Sequence, residues 1–153
     1  MTDVPEILAE LAAYLATVPG IASAHYPAPN VLDADDCPAI VLYWGGPEPT
    51  RLEASNASGG TMWLPTVLAR IYTPRAGDTP QEFARVDSLV TPVIDALNVP
   101  VKAMNLSLTG HVDRITATSV SPTLEIGYAG STYYGAEIVI SMKFHRKIGR
   151  AHV

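Results

Sequence analysis

The chain is short of charge. Charged residues make up 16% of its 153 positions, against roughly 25% in an ordinary soluble domain. A surface with so few charges is expected to be covered in part by a partner. Cysteine is nearly absent as well. Cys37 stands alone, so no intrachain disulfide can form, and a reducing compartment is the simpler expectation. No apolar run approaches the ~20 residues of a membrane span. The opening MTDVPEILAE carries acids and no basic stretch, unlike a secretory signal. The net charge is −5. An acidic chain lacks the field that sequence-independent nucleic-acid binding requires.

The usual chemical motifs are missing too. The glycines at 45, 46, 59 and 60 lack the Gly-Lys-Ser/Thr ending that cradles phosphates, and no GxGxxG is present. Zinc sites take thiolates or clustered imidazoles, but His25, His111, His145 and His152 are scattered. Asp33, Asp35 and Asp36 lack the longer, glycine-turned segment of a calcium loop. They read as a solvated acidic loop. His111 and Asp113 alternate on a strand but have no nucleophile elbow beside them. Cys37 lies next to Asp36, and an adjacent carboxylate raises a thiol pKa. It reads as an inert, partly buried thiol. No catalytic residue, metal ligand or cofactor site is expected.

What is present is a core. Apolar residues are 48% of the chain. Residues 4–18 predict a helix, with Ile7, Leu8, Leu11, Leu15 and Val18 on one stripe. Asp3 and Glu6 make a capping-box pair, and Pro19-Gly20 ends the helix. Strands are expected at Ile21 to Tyr26 and at Ala39 to Trp44, with a polar, Pro-rich stretch between them. Residues 45–60, GGPEPTRLEASNASGG, are rich in Gly and Pro and show no periodicity. They read as the excursion of a long hairpin, and a stretch of that length is usually functional or disordered. The strand resumes at Met62 and runs to Tyr72. Thr79-Pro80-Gln81-Glu82 announces a second helix, with Phe83, Val86, Val90, Val93 and Leu97 as its stripe. Pro92 falls on its outer face, where it should bend the helix.

Strands follow at Arg114 to Val120 and around Leu124, Ile126 and Tyr128. A hairpin connection is expected at Ala129 to Thr132. Tyr133 to His145 is the longest alternating run, with Tyr134, Ala136, Ile138, Ile140, Met142 and Phe144 on one face. Tyr133, Glu137, Ser141, Lys143 and His145 share the other. At about 3.3 Å per residue such a strand spans roughly 40 Å, more than a small domain needs. The expected fold is a single two-layer α+β domain over residues 1–153, a mainly antiparallel sheet packed by two amphipathic helices. After Glu137 no acid occurs, while Lys143, Arg146, Lys147 and Arg150 do. The stretch 143–153 is a basic end on an acidic protein.

This layout resembles the tail terminator (tail completion) proteins of long-tailed bacteriophages. The resemblance runs along nearly the whole chain, with little from 45–60 and 99–112. It rests on a helix ending in Val18-Pro19-Gly20-Ile21, on Cys37-Pro38-Ala39-Ile40-Val41 opening a strand, and on a long loop before Trp63. The helix with Val86-Asp87-Ser88-Leu89-Val90 and the long final strand complete it. It implies a virion protein, assembled in a bacterial cytoplasm, that forms a ring, commonly a hexamer, on the head-proximal end of the tail tube. Its expected partners are copies of itself, the tube protein and the neck or head–tail connector proteins, with no membrane. The ring would end tube polymerisation without catalysis. A ring needs two different patches on each subunit. Loop 45–60 and the end of the last strand are the candidates, with Trp44, Arg51, Glu53, Trp63, Tyr133 and Lys143 as interface residues. Arg146, Lys147 and Arg150 are candidates for facing passing DNA or an acidic partner. The alternatives are another head–tail joining or minor tail role, a small-molecule-binding α+β domain, and a single-strand nucleic-acid binder.

Overall fold

A computed structural model describes residues 4–44, 51–52, 60–64, 66–74, 79–104 and 112–147. Two helices, α1 (Val4–Leu15) and α2 (Thr79–Leu97), pack on one sheet. Its strands are β1 (Ser23–His25), β2 (Ala39–Trp44), β3 (Arg51–Leu52), β4 (Gly60–Leu64), β5 (Thr66–Pro74), β6 (Val112–Val120), β7 (Leu124–Tyr128) and β8 (Ser131–Lys147). The fold is a two-layer, mainly antiparallel α+β sandwich.

The 17-residue β8 organises the sheet. Along one edge it pairs antiparallel with β5 and then β4, in a register unbroken from Pro74↔Tyr133 to Gly60↔Lys147. Pro65 separates β4 from β5 in the sequence, and proline has no N–H to give a ladder. On its other edge lie β7 and then β6. Register shifts in β6 fall between Val112 and Arg114 and between Ala117 and Ser119. The β7–β8 hairpin turns on Ala129 (φ 51°) and Gly130 (φ 86°). Two central residues with positive φ make the turn whose twist matches flanking strands.

The helices cover the face carrying Ile138, Ile140 and Met142. Ile7, Leu8, Leu11 and Leu15 of α1 and Leu89, Val93 and Leu97 of α2 meet them there, with Ile40, Leu42, Val67, Ala69 and Ile71. The α1 residues are its predicted stripe; of the α2 stripe Val93 and Leu97 lie here, joined by Leu89, while Val86 and Phe83 pack on Tyr134 and Ala136. The Tyr14 hydroxyl ties the helices together by donating to the Ala96 carbonyl at 2.7 Å.

Several expectations are corrected. The first helix ends at Leu15 rather than 18. Thr17 donates its hydroxyl to the Tyr14 carbonyl at 2.6 Å, and Val18 precedes a proline, which disfavours helical backbone. The first strand is Ser23–His25 only. It runs parallel to β2, so residues 26–38 form a crossover connection. The strand expected at 62–72 is two segments, and Arg51–Leu52 adds a strand paired with Leu64 and Trp63. Among the described residues the order is therefore helix, five strands, helix, three strands. Asp3 and most of 45–60 lie outside the described residues.

Candidate functional site: an open groove and a projecting strand end

Among the described residues the sheet face away from the helices is covered over only half of its length. At the end nearest Tyr133 the crossover lies on it. Leu32 packs with Ala39, Val41, Tyr72 and Ile126, and Cys37, Tyr43, Tyr128 and Tyr133 border them. The Tyr133 hydroxyl donates to the Leu32 carbonyl at 2.9 Å, and the Tyr128 hydroxyl donates to the Pro29 carbonyl. Tyr43 and Tyr72 share a hydrogen bond at 3.0 Å. Both Tyr128 and Tyr133 meet the Tyr72 ring edge-on, at 5.2 and 5.7 Å. Burial, then the bond to Tyr43, pushes the Tyr72 hydroxyl above its ordinary range. The Cys37 thiol is half-buried; burial first and Asp36 second push its pKa up. A raised thiol pKa suppresses nucleophilicity. The Asp36 carboxylate accepts the Asp33 N–H at 2.9 Å, so it serves the turn locally.

Mid-face, Arg70 and Glu137 are opposed across β5 and β8 and pair at 2.7 Å, each about one-third exposed (32% and 30%). The Arg70 guanidinium also lies 5.3 Å from the centre of the Tyr43 ring. A pair this exposed adds little stability. It marks the boundary between the covered and the open half.

Beyond it is a groove of about 280 Å³ lined by Arg114, Thr116, Thr118, Ser141 and Lys143. Register builds it. Arg114 is opposite Lys143 and Thr116 is opposite Ser141, so all four share one face of β6 and β8. The Thr118 hydroxyl donates to the Val139 carbonyl at 3.2 Å, at the second register shift of β6. The lining has two cations and three hydroxyls and no carboxylate. Such a lining recognises an oxyanion; it has no base to activate a nucleophile. Among the described residues no three His, Cys, Asp or Glu side chains converge as metal ligands.

Among the described residues the sheet narrows past the groove. Val112 is the last residue of β6 to pair, opposite Phe144. The backbone of His145, Arg146 and Lys147 continues against Met62, Thr61 and Gly60 of β4. This end of β8, with β4 and β3 beside it, forms an arm of the sheet.

The structure gathers some of the sequence-predicted residues and separates others. Lys143 lines the groove. Arg51 and Trp63 lie on the arm, their backbones paired with Leu64 and Phe144. Trp44 ends β2, 37% exposed, in register with Val67 on the helix side of the sheet. Tyr133 lies ten residues before Lys143, roughly 33 Å along the same strand, in the aromatic cluster. Arg146 and Lys147 sit on the arm; Glu53 and Arg150 lie outside the described residues. Sequence reasoning missed Arg114, Thr116, Thr118 and Ser141. Their period-two polarity was visible on each strand, but only the pairing register brings them together. In comparisons with known proteins, no family model and no curated sequence matches this chain.

Proposed function

We infer that the chain is a virion structural protein of the tail-terminator kind, one that assembles as a ring on the head-proximal end of a phage tail tube. The ring ends tube polymerisation and offers a surface to the neck or head. The observation that carries this reading is the overrun of β8. Among the described residues β6 stops pairing with it at Val112, opposite Phe144, yet its backbone pairs on to Lys147 with β4 and the adjoining β3 beside it. A strand that runs on past a neighbouring strand offers backbone to a partner. The open groove supports an assembly role as well. Small-molecule pockets are concave, mostly apolar and commonly ~300–1,000 Å³, while this groove is smaller, open and polar. The low charge content, 16%, fits a surface shared with other subunits.

Tail length in a phage lacking this gene, measured by electron microscopy, tests the reading. Overlong or headless tails, corrected by supplying the protein, are the expected result. Tails of normal length joined to filled heads would sink it.

A further inference from the structure

The groove has a chemistry that none of the described residues uses. Arg114 and Lys143 face each other across β6 and β8, and opposed like charges repel. Neither has a hydrogen-bond or ion-pair partner among the described residues. Thr116 and Ser141, the next opposed pair, add two hydroxyls. Two cations and two hydroxyls with no partner among the described residues form a receptor for carboxylates.

Charge distribution selects the occupant. With a net charge of −5 the protein as a whole repels a polyanion such as nucleic acid. The acids of the chain itself are the complementary surface. Asp33 and Asp35 stand exposed on the crossover, and their carboxylates have no partner among the described residues. Only the Asp36 carboxylate is engaged, by the Asp33 N–H. The crossover and the groove lie on the same sheet face at opposite ends of β8. Tens of ångströms of strand separate them, so the turn cannot reach the groove of its own molecule. We propose that the groove formed by Arg114, Thr116, Ser141 and Lys143 receives the Asp33–Asp36 turn of a second copy of this chain. Asp33 and Asp35 of one copy then meet Arg114 and Lys143 of the other. This rests on the assembly reading above and supplies one of its contacts.

Sedimentation velocity on the full chain, at low and high salt, tests it by charge swap. The unaltered protein self-associates at low salt, and salt weakens the association. The double variant Arg114→Glu/Lys143→Glu weakens association more than about a hundredfold, because it sets like charges against each other. Asp33→Lys/Asp35→Lys does the same from the other side. Mixing the two variants in equal amounts restores association, since each altered groove then meets an altered turn. Unchanged melting curves show that both variants fold. An unaltered protein that stays monomeric at low salt overturns the proposal, and so does a mixture that stays monomeric. If Arg114→Glu/Lys143→Glu instead loses retention of a DNA oligonucleotide and keeps its self-association, the groove serves phosphate and the proposal is wrong. The outcomes separate from those of the functional reading. A failed swap with overlong tails removes the groove contact alone, and a successful swap with normal tails removes the terminator role alone.

Discussion

The two halves of β8 carry the same alternation and end in different surroundings. From Tyr133 to Glu137 the strand is enclosed on both sides. Val86 and Phe83 of α2 pack on Tyr134 and Ala136, and the crossover covers Tyr133 and its neighbours. From Val139 to Lys143 the described residues cover only the helix side, and the opposite side opens into the groove. One half is spent on stability. The other is left for a partner. Polarity along the strand follows this division, because Tyr133 can bury its ring while Lys143 keeps its ammonium in water.

Gly135 gives the sharpest test of the closed half. A Cβ there would lie 1.9 Å from the Ile71 carbonyl oxygen and 3.0 Å from Ile126 Cδ1. Backbone cannot yield that far, so Gly135→Ala should cost more than about 4 kcal/mol and yield no folded protein in thermal melts. The open half predicts the reverse. Removing residues 50–58 takes away β3 and should abolish self-association by light scattering, while the melting temperature stays within a few degrees. Loss of the cooperative melt would show that the arm belongs to the core after all.

Alkaline pH should act on the closed half. The folded state holds the Tyr72 proton more tightly than the ordinary value of 10.0. Stability from this group is therefore complete below about pH 10 and is lost as pH rises through the higher folded value. Tyr128 shifts in the same direction, from burial first. Melts between pH 8 and pH 11 should show the decline, and Tyr72→Phe should flatten it. A matched pair of threonines then compares the halves directly. Thr73 is buried and donates to the Tyr134 carbonyl at 3.0 Å, so Thr73→Val should cost about 1–2 kcal/mol. Thr116→Val in the open groove should stay within about 0.5 kcal/mol in urea titrations. Equal costs would erase the distinction. The smallest effect is a gain. Ala129 holds φ 51° in the turn that starts β8, a conformation that Asn adopts more readily. Ala129→Asn should add about 0.5 kcal/mol or a little more, read as a modest rise in melting temperature.

Local signals were legible in the residues. Thr79-Pro80 marks the start of α2, and Ala39 to Trp44 is the whole of β2. The two faces of β8 followed from period-two polarity. Non-local pairing was not legible. Nothing in Ser23 to His25 says that this strand lies parallel to β2, so the crossover and the enclosure it provides were hidden. The groove was half visible. Lys143 stood out on a long strand, but Arg114 read as one polar residue among many until β6 was placed beside β8.

By itself, the sequence determined where the two helices and most of the strands lie, which side of each is apolar, and that cations gather after Glu137. Those properties depend on neighbours within a few residues, where backbone geometry repeats at fixed periods. Only the tertiary structure decided which half of β8 is covered and which four side chains meet in the groove. Both depend on strand register and on the path of a thirteen-residue crossover, residues 26–38. A shift of one residue in register would turn every side chain to the other face.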